Sequence, residues 1–141
     1  MKHNAMNGIP DNFYRTSVKA LIFDNEHRLL FIQESNGLWE MPGGGLDYGE
    51  KPQDCLAREI REEMGLETVY ISQQPLYFAS ALNIDGHWKT GIFYEIKLKN
   101  LDFTPSEECV RIKFFTKEEA LQKKLYPIIR EFLTVYKENN Q

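Results

Sequence analysis

The chain has 141 residues, a length that suits one domain with a sizeable core. Its net charge of −4 and the lack of a basic patch argue against duplex nucleic acid as a partner. No apolar run approaches the roughly 18–20 residues of a membrane span, and the N-terminus lacks the apolar core of a signal peptide. We therefore expect a cytoplasmic protein without a membrane partner.

The first predicted elements are strands. Residues 1–12 are polar and are expected to form an irregular lead to a single domain at 13–138. Residues 14–23 and 29–33 are rich in β-formers and flank a turn at 24–27. This pattern predicts a β-hairpin.

A helix is predicted from about Pro52 to Met64, after a short extended segment at 38–45. Proline suits the first helical position, because its missing N–H costs nothing there. Gly65 suits the position just past the helix end, where a left-handed backbone is needed. Lys51 falls at the N-cap and offers no side-chain oxygen, so the helix start is weakly capped.

This helix has an apolar stripe and a separate acidic face. The stripe consists of Leu56, Ile60 and Met64. The acidic face consists of Glu59, Glu62 and Glu63. Like charges at this spacing repel by about 0.2–0.5 kcal/mol per exposed pair, and a divalent cation between them would remove the repulsion. The alternative is a solvated acidic helix with ordinary surface ion pairs such as Arg58–Glu62.

The second half of the chain predicts strands at 68–72, 76–83, 88–98 and 110–115. Asp85-Gly86 is a strong turn signal, so the second and third of these strands form a hairpin. Thr116 and Glu119 fit a capping box, and Pro127 opens a last helix. This order of elements predicts an α/β (α+β) fold in which helices cover both faces of a mixed sheet.

Two groups of side chains have competing interpretations. Cys55 and Cys109 are expected to be buried free thiols in a reducing cytosol, and a disulfide is the alternative. Arg15, Lys19 and Arg28 are expected on a solvated strand face, with phosphate contact as the alternative.

The segment from Gly44 to Leu66 resembles the signature of the Nudix hydrolase family (MutT-like), G-x5-E-x7-R-E-U-x-E-E-x-G-U, where U is aliphatic. Every fixed point is matched, by Gly44, Glu50, Arg58, Glu59, Ile60, Glu62, Glu63, Gly65 and Leu66. The resemblance implies an α/β/α sandwich with a loop-helix-loop catalytic motif. It also implies pyrophosphohydrolase activity on a nucleoside diphosphate linked to another moiety.

The resemblance also implies roles for individual residues. Glu59, Glu62 and Glu63, with the Gly43 carbonyl, would hold Mg²⁺ or Mn²⁺, and water would attack phosphorus. Arg58 would orient the neighbouring carboxylates, and Glu50 would be mainly architectural. The general base is left open between Glu62, Glu107 and Glu108, because Arg111 stands about where a Glu often sits in the family.

The predicted substrate contacts have alternative interpretations. Gly44 and Gly45 would let backbone approach a metal or phosphate, and a plain tight turn is the alternative. Trp88 is either a base contact or a surface aromatic residue. The expected partner is a small-molecule nucleotide, and the expected state is a monomer or homodimer. A non-catalytic nucleotide- or RNA-binding module and a diphosphate-ester isomerase are the competing functions.

Overall fold

The computed structural model describes residues 12–138 and, for the backbone only, residues 3–4 and 9–10. The strands are β1 (His3–Asn4), β2 (Ile9–Pro10), β3 (Tyr14–Leu21), β4 (Leu29–Gln33), β5 (Trp39–Glu40), β6 (Gly43–Gly45), β7 (Thr68–Ile71), β8 (Tyr77–Leu82), β9 (Trp88–Leu98) and β10 (Arg111–Phe115). The helices are α1 (Pro52–Met64), α2 (Lys117–Leu121) and α3 (Pro127–Val135).

Part of the predicted irregular lead is paired. β1 and β2 form an antiparallel ladder, with His3 opposite Pro10. A ladder of two-residue strands is too short to show alternation in the sequence, so the pattern could not have predicted it. The rest of the predicted lead, apart from Asn12, lies outside the described residues.

Two further sheets build the fold. The larger has the order β6-β3-β9-β7, and β8 also pairs with β9. Its central pair, β3 with β9, is parallel, and the other pairs are antiparallel. The smaller sheet has the antiparallel order β10-β4-β5. The mixed sheet predicted from the sequence is confirmed.

The predicted hairpin of residues 14–23 with 29–33 is formed only beside its turn, and β3 does not pair with β4. After a single bridge between Phe23 and Leu29, the two strands separate into different sheets. Both edges of β3 are already occupied, by β6 and by β9, so β4 has no free edge to pair with. The predicted hairpin of β8 and β9 is correct, with Leu82 opposite Trp88.

Helices cover both faces of the larger sheet, as the α/β/α sandwich requires. Alternate residues of a strand point to opposite faces, so β3 and β9 contribute to two cores. On one face Phe93 stacks on Phe132 of α3, with ring centroids 4.2 Å apart. On the other face Val18 and Tyr94 belong to the core that holds the apolar stripe of α1.

Helix α1 has the predicted bounds and caps. Its N-cap residue Lys51 makes no side-chain capping bond, and its C-cap Gly65 has φ +69°. The capping box of α2 is also present: Thr116 accepts from the Glu119 amide, and Glu119 accepts from the Thr116 amide. Among the described residues, no helix is long and apolar enough to cross a bilayer.

Candidate active site

A cavity of about 350 Å³ opens beside β6, the acidic face of α1 and the turn between β8 and β9. Most of its charged lining residues are acidic. The lining consists of Ser17, Lys19, Glu34, Glu40, Gly43, Gly44, Gly45, Glu59, Glu63, Asn83, Ile84, Asp85, Lys89, Glu108 and Tyr126. It thus brings together most of the residues predicted for the site.

Glu63 is the most buried carboxylate of this cavity, with 4% of its surface exposed. Its Oε1 accepts a hydrogen bond of 3.0 Å from the Gly43 backbone amide. Burial raises the pKa of Glu63 well above its ordinary value, because a carboxylate loses hydration there. The Gly43 bond and the charge of Lys19 oppose that rise.

Lys19 is buried, so its predicted place on a solvated strand face is wrong. It is 5% exposed, and its Nζ lies 3.3 Å from Oε2 of Glu40. Burial opposes the charge of Lys19, but the Glu40 and Glu63 carboxylates outweigh that effect and raise its pKa. A cation at this position offsets the negative charge that the cavity wall would otherwise hold.

Arg58 connects the helix to the loop before it. Its Nε and Nη2 donate to the two oxygens of Glu50, at 2.8 and 2.9 Å, and its Nη1 donates to Glu62 at 3.2 Å. The Arg58 hydrogen bonds lower the pKa of Glu50 to about 2. Arg58 therefore contacts both the loop carboxylate and one of the carboxylates that it was expected to orient, and the roles of Arg58 and Glu50 stay predictions.

Glu59 lies against the glycine segment. A Cβ added to Gly44 would collide with the Glu59 carboxylate. Burial raises the pKa of Glu59, and the charges of Glu62 and Glu108 add to the rise. The charge of Arg58, whose Nη1 lies 3.7 Å from Oε1 of Glu59, opposes this rise. Gly44 therefore makes room for a carboxylate whose negative charge is only partly offset by its neighbours.

The carboxylates suit a hard cation by chemistry, although they are not gathered around one point. Across residues 12–138, no group of three His, Cys, Asp or Glu side chains is placed to hold a metal ion. Glu62 is turned toward Arg58, and its side chain is 56% exposed. Exposed pairs of this kind are worth only about 0.2–1 kcal/mol, so Glu62 can be reoriented at small cost. The oxygen-only donor set and the raised pKa of Glu59 and Glu63 fit a divalent cation.

The remaining predicted site residues fall in three places. Glu107 and Glu108 are both exposed, but only Glu108 lines the cavity. The Glu107 backbone carbonyl accepts from the Ser35 amide. Gly45 lies against Arg15. Trp88 is outside the acidic cavity and lines a separate one, where its ring centroid lies 6.0 Å from that of Tyr14.

Sequence reasoning missed several lining residues. Glu40 lies between Trp39 and Met41, and an acidic residue within an apolar segment was a signal that could have been used. Tyr126 donates to Glu34 at 2.6 Å, but the two are 92 positions apart. No local pattern connects residues at that separation.

Comparison with known proteins identifies the family of the chain. The sequence profile of the NUDIX domain matches residues 13–136, nearly the whole chain. The chain belongs to the Nudix hydrolase family. The family predicted from the segment 44–66 is thus confirmed.

Similar proteins support the same assignment. An RNA pyrophosphohydrolase of Helicobacter pylori strain G27 is 30% identical over 84% of this chain and 87% of its own length. An RNA pyrophosphohydrolase of Bartonella clarridgeiae is 35% identical over 43% of this chain, and the match spans only 41% of that protein. The crystal structure of a MutT protein from Methanosarcina mazei Go1 matches 89% of this chain and 94% of its own, with 25% identity and a TM-score of 0.70. The predicted sandwich fold is therefore confirmed.

Proposed function

We propose that this protein is a pyrophosphohydrolase, which cleaves the pyrophosphate linkage of a nucleoside diphosphate derivative with the help of Mg²⁺ or Mn²⁺. The observation that carries the proposal is the acidic cavity, where Glu59 and Glu63 meet the glycine segment. Family membership and the names of the relatives support the same reaction class.

Glu59, Glu62 and Glu63 would hold the cation, together with the Gly43 carbonyl. Nudix hydrolases generally use divalent metal ions. When bound, such an ion neutralises charge on the diphosphate and makes a water molecule more acidic. The protein would position these carboxylates through two contacts. The Gly43 amide donates a hydrogen bond to Glu63, and Arg58 lies within ion-pair distance of Glu59 and Glu62.

Glu108 is the best-placed candidate for the general base. It lines the cavity and is close enough for its charge to raise the pKa of Glu59. Neither Glu107 nor Glu62 lines the cavity, and Glu62 is already proposed to hold the cation. Glu108 would accept the proton of the water that attacks phosphorus, at a carboxylate oxygen.

The competing functions are less well supported. A diphosphate-ester isomerase of this fold would need a catalytic cysteine, and both Cys55 and Cys109 are fully buried. Burial raises the pKa of each thiol to about 12, so neither supplies a reactive thiolate. A non-catalytic binding module is disfavoured because every acidic residue of the motif is present. The cytoplasmic location and the monomeric or dimeric state stay predictions.

The test is a turnover assay on a substrate panel, with product identification. The panel comprises nucleoside triphosphates, ADP-ribose, nucleotide sugars, dinucleoside polyphosphates and RNA with a 5′-triphosphate, each with Mg²⁺, with Mn²⁺ and with EDTA. The two relatives named above are RNA pyrophosphohydrolases, which is why the RNA substrate is included.

Three variants complete this test: Glu59→Gln, Glu62→Gln and Glu63→Gln. We expect turnover to fall by about 10- to 100-fold or more when a metal-holding carboxylate is lost, because loss of a mere outer-shell partner already has an effect of that size. Glu67→Gln is the matched control, because Glu67 is exposed and lies outside the cavity. Full activity in both Glu62→Gln and Glu63→Gln would refute the metal assignment.

A further inference from the structure

A second cavity, outside the acidic one, is lined by aromatic side chains, and we call it the aromatic cavity. Its volume is about 360 Å³, and its lining consists of Asn12, Phe13, Tyr14, Gly86, His87 and Trp88. Tyr14 is 59% exposed and Trp88 is 46% exposed. Exposed aromatic surface is costly in water, and its concentration in one place marks a binding site.

The geometry of the two most exposed rings leaves ring faces open. Tyr14 and Trp88 are direct partners in the parallel ladder of β3 and β9, so both side chains stand on the same face of the sheet. Their ring centroids lie 6.0 Å apart, and the ring planes meet at 55°. Stacked rings cover each other, whereas rings tilted by this angle do not. The aromatic cavity therefore presents aromatic faces to a ligand.

The charge of the lining indicates which ligand fits. Among the lining residues, all within the described range 12–138, none is Lys, Arg, Asp or Glu. Asn12 and His87 add hydrogen-bonding groups beside the aromatic rings. A lining of this kind suits a flat, uncharged ring with polar edges better than it suits a phosphate. Nucleobases have this chemistry, and each of them stacks on aromatic side chains through its π-face.

Two segments of the chain line both cavities. In the turn between β8 and β9, Asp85 lines the acidic cavity and the next residue, Gly86, lines the aromatic cavity. Consecutive Cα atoms are only about 3.8 Å apart. In β3, Tyr14 lines the aromatic cavity and Ser17 lines the acidic one. A substrate with its diphosphate in the acidic cavity can therefore extend into the aromatic cavity.

We propose that the aromatic cavity binds a nucleobase of the substrate, which stacks on Trp88. This inference rests on the proposed function, because it assumes that the diphosphate occupies the acidic cavity. Three sources offer such a base: a nucleoside triphosphate, the second nucleoside of a dinucleoside polyphosphate, and a downstream nucleotide of RNA. The base is remote from the reacting phosphorus, so stacking should lower KM and leave kcat nearly unchanged.

The experiment removes the base from the substrate and the aromatic face from the protein. KM and kcat are measured for a nucleoside triphosphate, a dinucleoside polyphosphate and RNA with a 5′-triphosphate. Each is compared with counterparts in which one base is replaced by hydrogen, so that the affected counterpart identifies the source of the base. Trp88→Leu removes the ring but keeps an apolar side chain, and Trp88→Phe keeps a ring.

We expect the wild-type protein to show a KM about 5- to 150-fold higher for one base-lacking counterpart than for its parent, the effect of one stacked base. Trp88→Leu should raise KM for the parent by a similar factor, and Trp88→Phe should stay close to the wild-type value. The kcat should be unchanged in both variants. Tyr70→Leu is the matched control, because Tyr70 is 47% exposed and lies outside both cavities.

Two results would overturn the inference alone. One is a wild-type protein that cleaves a substrate but has the same KM for every base-lacking counterpart, a measurement that depends on no variant. The other is Trp88→Leu with the KM of the wild-type protein.

Failure of the wild-type protein to cleave any substrate in the panel of the proposed function would instead overturn that function. Binding then decides the inference through tryptophan fluorescence, which a stacked base quenches. Trp39 is buried, so quenching by a nucleotide with Mg²⁺ reports Trp88. Quenching in the wild-type protein but not in Trp88→Leu would support the base site, and no quenching in the wild-type protein would overturn it.

Discussion

At the scale of single residues, two adjacent glycines serve different purposes. Gly43 has φ +133°, and a Cβ there would collide with the backbone carbonyl of Val18. Gly44 is limited instead by the Glu59 carboxylate, the end of a flexible side chain. Gly43 is thus required by its backbone conformation, and Gly44 is required because the Glu59 carboxylate occupies the space beside it.

The same substitution at these two positions should therefore have separable effects. Gly43→Ala should lower the free energy of unfolding by about 1–3 kcal/mol or more, because the backbone is strained and cannot yield. Gly44→Ala should leave the melting temperature nearly unchanged and should strongly reduce kcat, because it displaces Glu59. Thermal unfolding and the turnover assay test both statements. A Gly44→Ala variant with full activity would contradict the proposal that Gly44 is needed to make room for Glu59.

At the scale of elements, the Glu50–Arg58 pair connects the preceding loop to α1. The Asp47 amide also donates to Glu50, at 3.2 Å, so the carboxylate joins both parts of the motif. Arg58 and this amide stabilise the charged form of Glu50, whose pKa falls from 4.5 to about 2. The connection between loop and helix is therefore sensitive to acid.

The pH dependence of stability should show this connection. A carboxyl with a depressed pKa in the folded state contributes stability above its ordinary pKa, and the contribution is lost as the pH falls toward the folded value. For Glu50 the loss should occur between pH 4.5 and about 2. Unfolding by urea across this range should show a steeper decline for the wild-type protein than for Glu50→Gln. Glu67→Gln should follow the wild-type curve, and identical curves for all three proteins would contradict the prediction.

At the scale of the whole molecule, both cysteines lie in the core that contains α1. Cys55 and Cys109 are free and fully buried, as predicted from the sequence. Burial raises the pKa of both thiols to about 12, so thiolate is scarce even where reagent could enter. Their reactivity therefore reports the opening of this core.

We expect both thiols to resist Ellman's reagent in the folded protein and to react together when the chain unfolds. The reagent must reach the sulfur atom and reacts with the thiolate form. In the folded core the sulfur atoms are buried and the thiols stay protonated. The measurement is the rate of thiol modification across a urea titration, compared with unfolding followed by fluorescence. Rapid reaction of either thiol in the absence of urea would show that this core opens locally.

The sequence alone determined the local features of this protein. The bounds of α1, the bare N-cap at Lys51, the capping box of α2 and the hairpin of β8 and β9 were all predicted. Each depends on residues within a few positions of one another, through backbone hydrogen bonds and turn conformations. The family signature is local in the same sense, since its fixed points span one loop and one helix.

Only the tertiary structure decided which of these residues share a cavity. Helical periodicity places Glu59, Glu62 and Glu63 on one face, but burial separates Glu63 from Glu62. The parallel pairing of β3 with β9 joins residues 74 positions apart, and Lys19 of β3 is buried beside Glu40 of β5. Contacts between residues so far apart in the sequence arise from the packing of whole elements. The hydrophobic pattern of one segment does not indicate which other segment will pack against it.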